Sequence, residues 1–140
     1  MRNLNHLNEH RINNPLYGGK GDERNGAFEM ASPDDTAKLY VIASSGEGWD
    51  HVSVSRDDRI PSWTEMEFVK RQFFRRDDCA MQLHPPVDEY IDGSFPGKRS
   101  VNCLHLWRPL RGEIPRPPRW MVGAMNEEEA KKLYDQGKWA

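Results

Sequence analysis

The sequence has few cysteines and no long apolar run. Its two cysteines, Cys79 and Cys103, lack the spacing of a metal or redox motif, which favours thiols in a reducing compartment. No stretch approaches the roughly 18 consecutive apolar residues that span a membrane. The first residues also lack the apolar core of a secretory signal. These absences predict a cytoplasmic protein with no membrane partner.

Net charge limits the classes of binding partner, and chain length limits the number of domains. Twenty basic and 22 acidic residues give a formal net charge of −2, which argues against a general electrostatic grip on nucleic acid. A chain of 140 residues has the length of one domain. Its composition predicts a flexible or loosely docked arm over residues 1–25, a single domain over 26–125, and a C-terminal helix and tail over 126–140.

Four segments have the composition of strands, and a fifth is a weaker candidate. They are "KLYVIAS" (38–44), "WDHVSVS" (49–55), "CAMQLH" (79–84) and "VNCLHLW" (101–107), with "AFEMA" (27–31) as the weaker one. The first two are separated by a Gly-containing connection and should form an antiparallel hairpin. The third should stop at Pro85 and Pro86, because proline cannot donate to a strand ladder.

Two helices are predicted from their start signals. In "SWTE" the Ser62 hydroxyl can accept from the Glu65 amide while the Glu65 carboxylate reaches back, which is a capping box. Apolar residues then recur at helical steps, at Trp63, Met66, Val69 and Phe73. Asn126 and the three glutamates after it predict a last helix over about 127–136. The order β-β-α-β-β plus a terminal helix predicts the α+β class, a small antiparallel sheet with the main helix on one face.

Strand alternation predicts that three histidines lie together. Successive side chains of a strand point to opposite faces, so one apolar set can cover the first helix: Val52, Val54, Met81, Leu83, Leu104 and Leu106. His51, His84 and His105 then share the opposite face. Ser53, Gln82 and Trp107 should lie beside them.

Four interpretations of this face remain open, and in two of them the face catalyses no reaction. In the first, the histidines are half-buried polar residues bonded to the backbone or to each other. In the second, the face recognises a macromolecule, either a protein or a nucleic acid. Neither interpretation requires a cofactor. The binding residues would be His84, Gln82, Trp107, Arg108 and Trp49.

The other two interpretations are enzymatic. "His51-Val-Ser53-Val" matches the HxSx half-motif of the 2H phosphoesterases, in which histidine is a general acid or base and serine holds phosphate. No second His-x-Ser/Thr occurs, so His105 would have to act as the catalytic partner. As a pair, the two histidine side chains should come within about 4–7 Å, the span of one bound group. Alternatively, His51, His84 and His105 could hold a metal for hydrolysis.

Several blocks of the sequence are similar to a known family. They are W-D-H-V-S-V-S, P-x-W-x-E-M, Q-L-H-P-P, L-H-L-W-R-P and P-P-x-x-x-V-G, within residues 38–123. Together they resemble an uncharacterised family of small proteins encoded by bacteriophages and prophages. The resemblance implies a mobile-element protein acting in a bacterial cytoplasm. Together with the His-bearing face, it leads us to expect an accessory protein that recognises a host or phage macromolecule. It implies no particular reaction.

Overall fold

A computed structural model describes residues 5–12, 25–46, 48–74, 81–90, 95, 100–109 and 123–139. Within these residues the chain forms a six-stranded antiparallel sheet and two α-helices, in the strand order β1-β2-β3-β5-β4-β6. The elements are a 3₁₀ helix (Asn5–His10), β1 (Gly26–Ala31), β2 (Lys38–Gly46), β3 (Trp49–Ser55), α1 (Trp63–Phe73), β4 (Gln82–Tyr90), β5 (Ser100–Pro109), β6 (Met125–Asn126) and α2 (Glu127–Asp135).

The α+β class and the antiparallel sheet are confirmed, whereas the predicted element order is incomplete. The order β-β-α-β-β omits β1, which covers the weaker candidate segment, and the two-residue strand β6. Strand β1 is six residues long and pairs with β2 along its whole length. Strand β6 is too short to show any periodicity, so only its pairing with β4 identifies it.

The main core lies on one face of the sheet. The six strand residues predicted for it, from Val52 to Leu106, are all buried in one apolar cluster. Met66, Val69 and Phe73 of α1 belong to the same cluster, and so does Ala130 of α2. Both helices therefore contribute to this core, whereas the prediction placed one main helix on the sheet.

Both helices begin at the predicted caps. The Ser62 hydroxyl accepts from the Glu65 amide at 3.1 Å, and a Glu65 carboxylate oxygen accepts from the Ser62 amide at 2.8 Å. Asn126 accepts from the Glu129 amide at 2.9 Å through its side-chain oxygen. Each cap satisfies amides that the first helical turn leaves without an intrahelical partner. The structure thus confirms both start signals.

Strand β4 does not stop at Pro85 and Pro86, so that prediction is wrong. The pairing of β4 with β5 shifts register between His84 and Val87 and then continues to Tyr90. The two prolines occupy this bulge, where a ladder donor is not needed. Strand β6 pairs with Gln82 and Leu83, the first two residues of β4. In the described part of the chain, the two prolines therefore have no pairing strand on that side. Residues 79 and 80 of the predicted strand lie outside the described residues.

Part of the predicted N-terminal arm docks on the domain. Leu7 is fully buried in the main core. The Ile12 amide donates to the Ala27 carbonyl at 2.9 Å, and Arg11 forms a β-bridge with Phe28.

In the described part of the chain, neither helix has the length and apolar character needed to cross a bilayer.

Candidate functional site

The sheet face opposite the helices carries the three histidines. Two rows of directly paired residues cross β3, β5 and β4 in that order. One row is Ser53, His105 and His84, and the other is His51, Trp107 and Gln82. Paired residues of neighbouring strands point to the same side. We call this surface, with Trp49 at its border, the His face.

His51 and His105 contact each other directly. The His51 Nε2 atom lies 2.8 Å from the His105 Nδ1 atom, which is a hydrogen bond in which one ring donates and the other accepts. The ring planes are 8° apart and the centroids are separated by 5.1 Å. With the two nitrogens so close, these values mean that the rings lie edge to edge. Both residues are half-buried, so the pair reaches the surface.

The indole of Trp107 supports this pair from within the protein. Its ring centroid is 5.0 Å from that of His51 and 5.7 Å from that of His105, with planes 24° and 18° from parallel. Trp107 is 2% exposed and Trp49 is 1% exposed, and the two pack together with Ala124. Both tryptophans were predicted as binding residues. Their burial means that neither ring presents a stacking surface to a partner.

The contact between the histidines leaves no gap for a substrate. A shared acid and base would need one bound group between their nitrogens. Here the two facing nitrogens, 2.8 Å apart, bond to each other. Ser53, the predicted phosphate-holding residue, is directly opposite His105 but only 6% exposed. The arrangement therefore brings the three predicted catalytic residues together without forming an open cleft between them.

His84 is held separately from the pair. Its Nδ1 donates to the Pro85 carbonyl at 2.7 Å. A Cβ atom built on Gly123 would lie 3.0 Å from its Nε2, so the Gly123 backbone passes directly against the ring. Gly123 also has a φ of +88°, a conformation that glycine adopts at no steric cost. Gln82, in the neighbouring row, is half-buried.

The three-histidine metal site does not form in this arrangement. Among the described residues, no group of three or more His, Cys, Asp or Glu side chains is placed to hold a metal ion. The His51–His105 bond points the two ring nitrogens at each other. A tetrahedral metal would require them to converge on a common centre.

Arg108 does not belong to the His face, although it was predicted as a binding residue. Strand alternation places it with Leu106 on the helix face. It is 3% exposed, and its guanidinium carbon lies 5.3 Å from the ring centroid of Phe74. Directly across from it on β3 is Asp50, which is 1% exposed. Arg108 therefore lies within the protein, on the opposite side of the sheet from the His face.

A second polar cluster was not predicted from the sequence. It surrounds Arg56 and Glu65, and we call it the Arg56 network. The Arg56 guanidinium donates five hydrogen bonds, which matches its five N–H groups. The acceptors are Asp35, Asp58 and Glu65. The signal in the sequence was the "RDDR" loop directly before the capping box.

The Arg56 network is fully buried at its centre. The side chains of Arg56 and Glu65 are 1% and 0% exposed, and their shortest contact is 2.6 Å. Burial raises the pKa of Glu65, but hydrogen bonds from Ser32, the Ser62 amide and the two arginines outweigh it and hold the pKa below its ordinary value. Hydrogen bonds to Asp58 and Asp35 raise the pKa of Arg56. Every charge at this centre is therefore stabilised in its ionised form.

Comparison with known proteins identifies a family model for the central strands. A model described as Domain of unknown function (DUF7694) matches residues 41–111, which is half of the chain. The matched region contains His51, His84 and His105 and also the Arg56 network apart from its contacts near Asp35. The search of curated proteins and the search of solved structures found no match.

Proposed function

Because the chain belongs to the DUF7694 family, whose description assigns no activity, we propose its function from the geometry of the His face: it is a recognition protein that docks a partner protein. The docking surface consists of the half-buried residues of that face, His51, His84, His105 and Gln82. By this proposal the protein is an accessory factor encoded by a phage or prophage. Its partner is a protein of the host or of the phage.

One observation carries the proposal: three adjacent strands hold three half-buried imidazoles on one face, and two of them pack on the buried indole of Trp107. His51 and His105 are fixed by their mutual bond and by Trp107 below them. Imidazole nitrogens can donate or accept hydrogen bonds, so the patch suits the polar groups of a partner. A preorganised patch also loses less side-chain entropy on binding.

The same geometry favours a protein partner over a nucleic acid. Single-stranded nucleic acids bind by stacking bases on exposed aromatic rings along a positively charged groove. Trp49 and Trp107, the two tryptophans among the predicted binding residues, are buried, so neither offers a surface on which a base could stack. The formal net charge of −2 supplies no general attraction for phosphates.

The proposed setting comes from the sequence blocks that resemble phage and prophage proteins. Four of the blocks contain elements of the His face or of helix α1. A small protein of a mobile element acts in the cytoplasm of a bacterium, where host proteins and other phage proteins are its available partners. This setting supports the choice of lysate for the experiment below.

The experiment compares three purified baits in a lysate of phage-infected bacteria. The baits are the wild type, His51→Ala and His6→Ala. His6 is the matched control because it is an exposed histidine bonded to Gln72 of α1 at 2.9 Å, away from the His face. We expect at least one protein retained by the wild type and by His6→Ala to lose most of its retention on His51→Ala. The same set of proteins on all three baits would contradict the proposal.

The hydrolase alternative has a direct assay of its own. Purified protein is incubated with cyclic nucleotides and with RNA carrying phosphorylated ends. The bonded His51–His105 pair predicts no turnover above that of His51→Ala. Turnover that disappears in His51→Ala would instead favour the phosphoesterase and would require the pair to open during catalysis.

A further inference from the structure

A groove lies on the helix side of the protein, away from the His face. It runs between residues 59–62, which lead into α1, and residues 134–139 at the end of α2, and its volume is about 410 Å³. Its walls are mostly apolar. Ligand sites in proteins typically have volumes of about 300–1,000 Å³ and walls of this kind. We call it the Trp139 groove.

The chain reverses direction after α2, and this turn places Trp139 in the groove wall. Gly137 has a φ of +73°, in the left-handed region that favours glycine. The amides of Gly137 and Lys138 donate to the carbonyls of Tyr134 and Leu133 at 3.0 Å and 2.8 Å, a common way to end a helix. The Trp139 side chain then packs in the main core and is 5% exposed. Its ring therefore has a fixed position beside the groove.

The groove has an aromatic wall and an aliphatic wall. Tyr134 and Trp139 line one side, and Ile60 and Pro61 line the other. The ring centroid of Trp63 lies 5.5 Å from that of Tyr134 and 6.1 Å from that of Trp139, so the two lining rings are supported from behind. Grooves with such aromatic walls bind extended proline-rich segments in several classes of recognition domain.

The two lining rings also carry hydrogen-bond donors. The indole N–H of Trp139 can only donate, and the Tyr134 hydroxyl can donate as well. Neither group has an acceptor among the described residues. Because Trp139 is more than nine-tenths buried, an acceptor reaches its N–H through the groove that it lines. A ligand that supplies acceptors there would satisfy both donors.

Negative charge is in surplus at the Arg59 end of the groove. Arg59 lines the groove and contacts Glu65 at 2.7 Å. Across the Arg56 network, two guanidinium groups face four carboxylates, and two of these carboxylate side chains are 45% and 64% exposed. Lys138, at the α2 end, is exposed and carries a positive charge. A ligand with a basic residue at the Arg59 end is therefore favoured by charge.

We propose that the Trp139 groove docks a proline-rich segment of a partner protein that carries arginine or lysine beside its prolines. Proline has no N–H, so such a segment presents backbone acceptors to the donors of Trp139 and Tyr134. Its proline rings pack on the aromatic wall, and its basic residue meets the carboxylates near Arg59. This site goes beyond the proposed function and does not depend on the His face.

The test follows the Trp139 indole N–H of the wild-type protein by ¹H–¹⁵N NMR. The probe is a hexapeptide of four prolines and two arginines, blocked at both ends. One control peptide replaces the prolines by alanine, and the other replaces the arginines by glutamate. We expect a saturable shift with the probe and clearly weaker binding of both controls. No saturable shift, or equal binding of either control peptide, would overturn the inference.

Two variants test the hydrogen bonds. Tyr134→Phe and Trp139→Phe each remove one donor and keep an aromatic ring, so each should weaken probe binding about fivefold. His6→Ala, near the other end of α1, should bind as the wild type does. Tyr134 is only half-buried, so Tyr134→Phe decides the outcome even if Trp139→Phe does not fold. An unchanged affinity in Tyr134→Phe would contradict the proposed contacts.

A second copy of the chain is the other occupant that these measurements detect. Sedimentation and the Trp139 signal are followed over a range of protein concentrations without peptide. A shift that accompanies dimer formation, together with no response to the probe, would assign the groove to an interface between copies and overturn the inference. A monomer whose Trp139 signal responds to the probe supports it.

Discussion

The Arg56 network and the His51–His105 pair are two polar clusters of the same domain, and they differ in how deeply they are buried. In the Arg56 network, one guanidinium meets three carboxylates and uses all five of its donors. Its centre is sealed from solvent. The two histidines of the pair bond to each other and remain half-buried. A saturated cluster of charges fixes the fold, whereas the partly exposed histidine pair lies where we propose that a partner binds.

The largest effect should come from removing the central carboxylate of the Arg56 network. Glu65→Ala leaves Arg56 buried without its closest partner and also breaks the capping box. Loss of one member of a buried ion pair costs about 3–5 kcal/mol of unfolding free energy. Urea unfolding of the wild type and of Glu65→Ala measures this loss of unfolding free energy. The control is Glu67→Ala on the same helix, a partly exposed residue whose contact with Lys70 at 3.4 Å should contribute less than about 1 kcal/mol.

Equal losses for Glu65→Ala and Glu67→Ala would contradict the structural role of the network. They would mean that the buried contacts of Arg56 are worth no more than a surface ion pair. The Arg56 network would then not be the polar cluster that fixes the fold.

A similarly large loss of stability is expected from truncating Trp107, the indole that packs against the histidine pair. Trp107→Ala removes a side chain that is 2% exposed and packs on Trp49. Truncation of a buried tryptophan typically costs about 3–5 kcal/mol. Thermal unfolding should show a clearly lowered midpoint, with a smaller change for Trp107→Phe. An unchanged midpoint for Trp107→Ala would mean that the indole is not part of the packed layer and would restore it as a binding anchor.

Acid should weaken the Arg56 network by a smaller and gradual amount. Hydrogen bonding to Arg56 lowers the pKa of Asp35 from 3.8 to about 2, and the pKa of Glu65 lies below its ordinary value of 4.5. Since both folded pKa values lie below the unfolded ones, the stability these groups contribute is present above the unfolded values and is lost as the pH falls through the folded ones. The stability difference between the wild type and Glu65→Gln should therefore stay constant from pH 7 to 5 and shrink below about pH 4.5.

Urea unfolding of both proteins at pH 7, 5 and 3 measures this difference. A difference that is as large at pH 3 as at pH 7 would show that the Glu65 carboxylate does not stabilise the fold through its charge.

The faces of the central strands could be predicted because alternation has a period of two and one face must be apolar. Val52 and Leu106 define that face, and His51 and His105 follow from it without any knowledge of the sheet order. A β-bulge shifts the register of a strand, so alternation alone does not predict the residues beyond it. The register shift at Pro85 and Pro86 extends β4 beyond its predicted end, because a proline pair can occupy a bulge as well as terminate a strand.

The remaining differences come from contacts between distant segments. Asp35 lies in the turn between β1 and β2, and only the folded sheet brings it to Arg56. The burial of Trp107 likewise depends on packing with Trp49 and Ala124 and not on its own strand pattern. Composition indicates that tryptophan and arginine are common binding anchors, but it does not reveal whether their surfaces are covered.

The docking role of the histidine pair and the structural role of the Arg56 network are tested together by comparing His51→Gln and Glu65→Gln in the same lysate experiment, with unfolding curves for both. We expect His51→Gln to change the unfolding free energy by less than about 1 kcal/mol, as for a partly exposed hydrogen bond, and yet to lose the partner. Glu65→Gln should be markedly less stable but should retain the partner at temperatures where it remains folded. Partner retention by His51→Gln, together with a large loss of stability in that variant, would contradict the proposed docking role and make the histidine pair part of the structural core.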